Sequence, residues 1–272
     1  MSASAIAMRE SSSLLIAQIT DIHLFAETDK QLLGLQTSDS FEAVIQHLRS
    51  LPKQPDLLLL TGDLSQDESA QSYEILQNRL NPLGIPAYWL PGNHDDMELM
   101  TQILQRSPMS AQKSFEAGGW QFLLLNTAVP GCVHGYLSTE SLTWLDNELC
   151  KNADKPTLIS FHHPPFLVGA DWMNDIGLLN ADDLFEVCDR HPQIKLALFG
   201  HIHQEFSRQR NGVHYLGTPS TCIQFKPNSP KFSLDQQQPG IRLVTLHSDG
   251  TWESAVQRIA YRCQLDLAAA GY

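Results

Sequence analysis

The strongest constraint on this chain is a series of short apolar runs that each end in potential metal ligands. The clearest is residues 196–199, which lead directly into Gly200, His201, Ile202 and His203. In an extended segment, positions i and i+2 point to the same side, so both imidazoles can face one ion. Taken alone, such a pair is more often part of a polar turn. Four earlier runs end in the same way, which favours a site assembled from several strand ends.

The apolar runs alternate with amphipathic segments, and this order predicts an α/β protein. The predicted strands are residues 14–19, 56–60, 85–90, 120–126, 157–161 and 196–199, and the predicted helices are 38–51, 68–80, 99–104, 138–149 and 180–188. Ser38 or Asp39 is the predicted N-cap of the first helix. The opening βαβαβ order predicts a largely parallel sheet with helices outside. Residues 213–216, 241–247 and 252–256 are predicted to follow as antiparallel strands.

Charge and cysteine content argue against several classes of protein. The chain has 18 Lys and Arg against 30 Asp and Glu, and its net charge of −12 opposes binding to nucleic acid or an anionic membrane. The five cysteines are scattered and form no Cys-x-x-Cys pair, a pattern of reduced cytosolic thiols rather than a disulfide framework. No signal peptide and no run of about 18 apolar residues is found, so we expect a cytoplasmic protein.

The residues that follow the predicted strands form one set of potential ligands. The set is Asp21, His23, Asp63, Asn93, His94, His162, His163, His201 and His203. Each has a structural explanation when taken alone, such as a helix cap for Asp63 or a turn for Asn93. Together, carboxylate, imidazole and amide groups suit Mn, Fe, Co or Zn and exceed what one metal can use. Two metals about 3.5 to 4 Å apart, bridged by a carboxylate, would activate water for in-line attack on phosphorus.

The order and spacing of these residues resemble the calcineurin-like metallophosphoesterase superfamily. The matching blocks are Asp21-x-His23, Gly62-Asp63, Gly92-Asn93-His94-Asp95, His162-His163 and Gly200-His201-x-His203, and the match runs from residue 16 to about residue 217. The resemblance implies the metallophosphoesterase fold, an α/β four-layer α-β-β-α sandwich of two mixed sheets with helices outside. Residues 1–13 are then expected to be a flexible N-terminus and residues 14–272 a single domain. Residues 218–272 are expected to complete the sandwich and are a candidate wall of the substrate pocket.

The same resemblance implies a role for each residue of the set. One metal takes Asp21, His23, Asp63 and His203, the other takes Asp63, Asn93, His162 and His201, and Asp63 bridges them. The family's ligand is the first histidine of the 162–163 pair. His94 is implied as the free imidazole that protonates the leaving oxygen or steadies the transition state, with Asp95 able to hold its ring. Fe²⁺ or Mn²⁺ is expected, although Co²⁺ and Zn²⁺ also accept these donors.

Further stretches are similar to the bacterial class III cyclic nucleotide phosphodiesterases. These are residues 20–25, 61–67, 134–138, 161–165, 172–174, 218–227, 239–242 and 246–250. This resemblance runs nearly end to end and implies hydrolysis of 3′,5′-cyclic AMP to 5′-AMP. Asn174 stands where the family pattern has an aspartate, so an acidic role there is not carried over.

Several residues are expected to contact the substrate. They are His23, Asp63, Asn93, His94, His162 and His203. His134 is a candidate for reaching the phosphate, with a plain turn residue as the alternative. Phe225 is a candidate for stacking on the base, with core packing as the alternative.

Other functions remain open from the sequence. The nearest is a broad-specificity metallophosphodiesterase that acts on 2′,3′-cyclic nucleotides or other phosphodiesters. A phosphoprotein phosphatase would need arginines to hold the phosphate, and Arg208, Arg210 and Arg242 are expected to be solvated instead. A non-catalytic scaffold is disfavoured because no ligand is lost. The protein is expected to be a monomer or a homodimer, with the stretch after Gly250 as a candidate dimer element.

Overall fold

The computed structural model describes residues 13–271, so the predicted flexible N-terminus, up to residue 12, lies outside the described residues. In chain order, the elements are β1 (Leu14–Ile19), β2 (Gln31–Leu32), β3 (Leu35–Gln36), α1 (Thr37–Ser50), β4 (Leu57–Thr61), α2 (Ala70–Leu80), β5 (Ala87–Leu90), α3 (Met97–Ile103), β6 (Met109–Ser110), β7 (Ser114–Ala117), β8 (Trp120–Leu124), α4 (Thr139–Lys151), β9 (Thr157–Ser160), α5 (Ala181–Asp189), β10 (Ile194–Phe199), β11 (Phe206–Arg210), β12 (Val213–Gly217), β13 (Gln224–Phe225), β14 (Leu234–Asp235), β15 (Gly240–Leu246) and β16 (Trp252–Arg258). Short 3-10 turns cover Asn81–Leu83 and Asp171–Met173.

Two six-stranded mixed sheets organise the structure, as the sequence resemblance predicts. The first has the order β16-β15-β1-β4-β5-β6 and the second β11-β12-β10-β9-β8-β7. In each sheet four neighbouring strands are parallel. Antiparallel strands β15 and β16 extend one side of the first sheet, and antiparallel strands β11 and β7 form both edges of the second. The prediction that residues 213–216 form an antiparallel strand is therefore only half right. Strand β12 is antiparallel to β11 but parallel to β10, because the chain first forms the edge strand β11 and then turns back at Asn211 and Gly212.

Three apolar layers follow from the alternation of side chains along the strands. In β4, Leu57 and Leu59 point between the two sheets, whereas Leu58 and Leu60 point towards α1, α2 and α3. The second sheet repeats this arrangement and packs its outer face against α4 and α5. The helices therefore lie outside both sheets, and the sandwich has four layers. Strands β15 and β16, from the last part of the chain, belong to the first sheet.

The helix ends depend on individual side chains. Ser69, Asp96 and Ser138 each accept a hydrogen bond from a backbone N–H in the first turn of α2, α3 and α4. The prediction of Ser38 or Asp39 as N-cap of α1 is wrong, since the N-cap is Gln36 and its side chain makes no capping bond. Residue 38 lies inside the helix, where its hydroxyl accepts a hydrogen bond from a guanidinium of α2.

A buried polar layer joins the two sheets below the strand ends. Gln18 donates to the hydroxyl of Thr61 at 2.9 Å and to the carbonyl of Phe199 at 3.2 Å, and it accepts from Thr218. Arg242 donates to Thr218 in turn, at 3.0 Å. The expectation that Arg242 is solvated is therefore wrong. Its guanidinium is buried and donates hydrogen bonds to carbonyl and hydroxyl oxygens.

Two predictions from composition concern the protein's surroundings. Within residues 13–271 no helix is both long and apolar enough to cross a membrane. All five cysteines are free thiols.

We expect Leu198→Ala to lower the free energy of unfolding by about 3 kcal/mol. The leucine side chain fills part of the layer between the sheets, and its removal leaves a cavity there. Urea denaturation followed by circular dichroism measures the change. The control is Leu179→Ala, because Leu179 is 56% exposed and its loss should cost less than about 0.5 kcal/mol. Equal effects in the two variants would contradict the layer assignment.

Candidate metal centre

The loops that carry the potential ligands have an unusual backbone. Asp21, His23, Asp63, His201 and His203 all have positive φ angles, between 48° and 67°. This conformation is costly for residues with a side chain and persists where the surrounding structure enforces it. All five residues follow the carboxyl ends of β1, β4 and β10. The strained backbone is thus concentrated in the loops at the carboxyl ends of these three strands.

A first group of ligand atoms is formed by Asp21, His23 and His203. The Nε2 atoms of the two histidines face each other at 3.2 Å. The Nε2 atom of His203 is also 3.3 Å from Oδ1 of Asp21. All three side chains are fully buried, so these atoms have little competition from water.

A second group is formed by Asp63, His162 and His201. The Nε2 atom of His162 is 3.2 Å from Oδ2 of Asp63 and 3.3 Å from Nδ1 of His201. The same Asp63 oxygen is 3.9 Å from Nε2 of His23 in the first group. Asp63 therefore stands between the two groups, which is where a bridging carboxylate would lie.

The ring nitrogens that face away from the centre hold three of the histidines in place. Nδ1 of His162 is 2.8 Å from the carbonyl of Thr61, and Nδ1 of His203 is 2.8 Å from the carbonyl of Ile223. Nδ1 of His23 is 2.6 Å from Oε1 of Gln66. A carbonyl oxygen can only accept, so each Nδ1 donates a hydrogen bond to it and each Nε2 faces the centre, where it can bind a metal once it is deprotonated.

Burial and neighbouring charges set the protonation of the centre. Burial lowers the pKa of His23 to about 3, and it holds the pKa of His201 well below its usual range. Burial opposes charge on His162 as well, but the carboxylates of Asp63 and Asp21 outweigh it and raise that pKa to about 9. The pKa of Asp63 is held low despite burial, chiefly by His162 and His94. A cation would take the place of the proton on His162.

Two further observations indicate that this set of donor atoms suits metal ions. Among the described residues, Oδ1 of Asn93 is buried and accepts no hydrogen bond, a costly state that a cation relieves. The loops approach so closely that glycine is required. A Cβ on Gly62 would lie 2.4 Å from Nδ1 of His162, and one on Gly200 would lie 2.1 Å from the hydroxyl of Thr20. Hard oxygens and borderline nitrogens in this mixture suit divalent first-row metals.

A ring nitrogen of His163 lies within 4.8 Å of ligand atoms of His162 and His201, but both of its ring nitrogens have other partners. Its Nδ1 is 2.8 Å from the hydroxyl of Thr127, and its Nε2 is 3.1 Å from the carbonyl of Val133. Both ring nitrogens are thus engaged away from Asp63. This arrangement supports His162, the first of the pair, as the ligand.

His94 and Asp95 sit at the entrance to the centre and have different surroundings. The backbone N–H of His94 donates to Oδ1 of Asp63 at 2.9 Å, and its ring stands edge-on to His23 at 5.2 Å. The carboxylate of Asp95 accepts instead from the backbone of Leu64, Ser65 and Gly92 and from the hydroxyl of Tyr73. Burial and the charge of Asp63 raise the pKa of Asp95 to about 7. Asp95 thus ties two ligand loops together, whereas the sequence predicted that it holds the ring of His94.

The two weaker substrate candidates have distinct positions. His134 is half-buried in its loop, and its ring makes no hydrogen bond within residues 13–271. Phe225 is buried and stacks on the ring of His203, with 4.2 Å between centroids and 10° between planes. Two supporting residues were not predicted from the sequence, because they lie outside the ligand blocks. Gln66 supports His23, and Tyr73 supports Asp95.

We expect Gly92→Ala to weaken metal binding although it changes no ligand side chain. A Cβ on Gly92 would lie 2.1 Å from Oδ1 of Asp63 and 2.5 Å from its backbone nitrogen, so the carboxylate or the loop must move. Mn²⁺ affinity should fall by roughly tenfold or more, as when the support of a ligand is removed. Calorimetric titration with Mn²⁺ measures it. In the control, Gly84→Ala, the new Cβ meets nothing within 4 Å, so equal affinities in both variants would refute the explanation.

Comparison with known proteins agrees with this geometry. The family model of calcineurin-like phosphoesterases matches residues 14–205. A 3′,5′-cyclic-nucleotide phosphodiesterase of Nostoc sp. (strain PCC 7120) is 51% identical over 259 residues, covering 95% of this chain and 97% of that protein. The 3′,5′-cyclic adenosine monophosphate phosphodiesterase CpdA of Pseudomonas aeruginosa is 40% identical, with 96% of both chains covered. Its counterpart in Escherichia coli (strain K12) is 42% identical, with 94% of both chains covered.

A solved structure gives the same answer for the fold. A dimetal phosphatase from Danio rerio is similar with a TM-score of 0.65 at 15% identity, over 91% of this chain and 99% of that one. The family model covers most of the chain, and the curated relatives match nearly all of it. The chain belongs to the calcineurin-like phosphoesterase family.

Proposed function

We propose that the protein hydrolyses 3′,5′-cyclic AMP to 5′-AMP at this centre and so lowers the intracellular level of the cyclic nucleotide. The observation that carries the proposal is that the chain has the complete donor set in a sequence 40–51% identical to cyclic nucleotide phosphodiesterases along nearly its whole length. The enzyme is a metal-dependent phosphoric diester hydrolase.

The metal assignment is part of the proposal. Asp21, His23, Asp63 and His203 would hold one ion, and Asp63, Asn93, His162 and His201 the other. Two such cations, when bound, neutralise the phosphate and lower the pKa of water. The buried unpaired oxygen of Asn93 and the Nε2 atoms turned to the centre support this assignment. We propose Fe²⁺ or Mn²⁺ as the bound ions, and Co²⁺ and Zn²⁺ are compatible with the same donors.

The chain's own residues would position the phosphodiester and move a proton. The carboxyamide of Asn93 would hold a phosphate oxygen, while His23, Asp63, His162 and His203 surround the phosphate. The ring of His94 lines the same cavity as His201 and would donate a proton to O3′ as it leaves. Asp95 would act as a positioning residue, because its carboxylate fixes the loops before and after it.

The remaining expectations about surroundings also stand as proposals. We infer a cytoplasmic enzyme that acts on a small molecule, as a monomer or homodimer, with residues 14–272 as one domain. The five free thiols are consistent with a reducing compartment. The net charge of −12 disfavours a nucleic acid partner.

The test is turnover by metal-stripped protein after addition of Mn²⁺ or Fe²⁺. We expect metal-dependent release of 5′-AMP from 3′,5′-cyclic AMP, in preference to hydrolysis of 2′,3′-cyclic AMP or of bis(4-nitrophenyl) phosphate run beside it. Faster turnover of either of the latter two substrates would instead favour a broad-specificity phosphodiesterase.

His94→Ala separates proton transfer from metal binding. We expect the variant to keep both metals by elemental analysis and to lose roughly 10²- to 10⁴-fold in kcat on 3′,5′-cyclic AMP, the usual contribution of a general acid. Asp63→Ala is the contrasting variant and should lose metal as well, because Oδ2 of Asp63 lies near Nε2 of both His23 and His162. Full activity of His94→Ala would remove this histidine from the mechanism.

A further inference from the structure

The cavity beside the metal centre extends well beyond the ligand residues. Its volume is about 650 Å³, and its lining includes His94 and His201. Cavities of roughly 300–1,000 Å³ are the usual size for small-molecule sites. The rest of the lining is mostly apolar, which the phosphate and the metals do not require. A second part of the substrate, with an apolar surface, would account for it.

Two aromatic side chains, Trp172 and Phe232, contribute to this lining. Both are half-buried, and Trp172 stands edge-on to Phe232 with 5.2 Å between centroids. Phe225 also borders the cavity, but only 1% of it is exposed and its ring is stacked on His203. The predicted stacking of a base on Phe225 therefore conflicts with the packing. An aromatic ligand would meet Trp172 or Phe232 instead.

Trp172 also carries a hydrogen-bond donor without an acceptor. Its Nε1 atom is buried, and within residues 13–271 it has no hydrogen-bond partner. A buried donor left unpaired is costly, and an acceptor on a ligand that reached this N–H would relieve that cost. Purine rings combine a flat aromatic surface with ring nitrogens that accept hydrogen bonds. The indole and its N–H match both features.

The last described segment closes another side of the cavity. Residues 261–271, which we call the strap, contribute Ala269, Ala270 and Gly271 to the lining. The strap is attached where the backbone N–H of Asp266 donates to the carbonyl of Leu33 at 2.9 Å. Its Gln264 carbonyl packs on Gly34, where a Cβ would lie 2.2 Å from that oxygen.

We propose that the purine nucleoside of the substrate occupies this cavity, between Trp172 and the strap, with the indole N–H donating to an acceptor on the base. The proposal rests on the proposed function and adds to it the part of the chain that favours a nucleotide over other phosphodiesters. Trp172 and the strap are specificity determinants, whereas the chemistry at phosphorus belongs to the metal centre.

Trp172→Phe tests the hydrogen bond while keeping an aromatic ring. Calorimetric titration of the Mn²⁺-loaded protein with 5′-AMP should show about fivefold weaker binding, the effect of one lost hydrogen bond, while titration with inorganic phosphate is unchanged. Trp172→Leu also removes the aromatic surface and should weaken 5′-AMP binding by roughly tenfold or more. The control is Trp144→Phe on α4, away from the cavity, which should change neither titration.

The two ligands and the turnover assay keep this proposal distinct from the proposed function. If the unchanged protein turns over bis(4-nitrophenyl) phosphate but not 3′,5′-cyclic AMP, the proposed function fails, and the 5′-AMP titrations still decide the nucleoside site. Unaltered 5′-AMP binding in Trp172→Leu would overturn the nucleoside site. Equal weakening of 5′-AMP and phosphate would also overturn it, because Trp172 would then only support the metal centre.

Gly34→Ala tests the strap from its point of attachment. The new methyl group would strike the carbonyl of Gln264, and we expect the KM for 3′,5′-cyclic AMP to rise by roughly fivefold with kcat/KM for bis(4-nitrophenyl) phosphate unchanged. Gly212→Ala is the matched control, because Gly212 has a similar φ, +85° against +89°, and open space around it. An unchanged KM in Gly34→Ala would exclude the strap from the site.

Discussion

The structure depends on the close approach of buried carboxylates and imidazoles at the ends of three strands. Nitrogen atoms of His23 and His203 face each other at 3.2 Å, and Oδ2 of Asp63 stands near both groups. Lone pairs that converge in a buried space repel one another unless a positive charge lies among them. A cation is therefore the component that makes these loops compatible, and the donor types favour a transition metal.

The cost of that arrangement is distributed over the fold. Left-handed residues are costly, and here they are held by hydrogen bonds between the loops. The backbone of Asp21 and His23 donates to the carbonyls of Gly62 and Asp63, and the backbone of His201 donates to the carboxylate of Asp21. Asp95 adds a carboxylate that receives three backbone N–H groups from two loops. These bonds make the centre rigid before any ligand arrives.

The outline of the fold and the ligand set could be predicted from the sequence because both lie in local patterns. Apolar runs identify the strands, and ligand pairs such as Asp21 and His23 follow them at once. The register of short segments could not be predicted in this way. Strands β2, β3, β6, β13 and β14 have two residues each, too few for a period to appear. The reversal of β11 and β12 depends on which strand reaches β10 first, which no local pattern encodes.

The site residues that were missed share a physical reason. Gln66 and Tyr73 act through contacts with residues far along the chain, and their types are common in ordinary surfaces and cores. The burial of Arg242 is of the same kind, because it depends on acceptors from three strands or loops that meet only in the fold. Long-range contacts of this sort leave no periodic signal.

The segment after the family match connects the metal centre with the cavity. The hydroxyl of Ser220 donates a hydrogen bond to the carbonyl of Asp21, and the carbonyl of Ile223 accepts one from Nδ1 of His203. Phe225 then stacks on His203 with one face and meets Trp172 edge-on at 5.1 Å. Trp172 in the proposed nucleoside cavity is therefore connected to His203, a proposed metal ligand, through the side chain of Phe225. In this arrangement a residue proposed to select the substrate also packs, through Phe225, against a residue proposed to hold the metal.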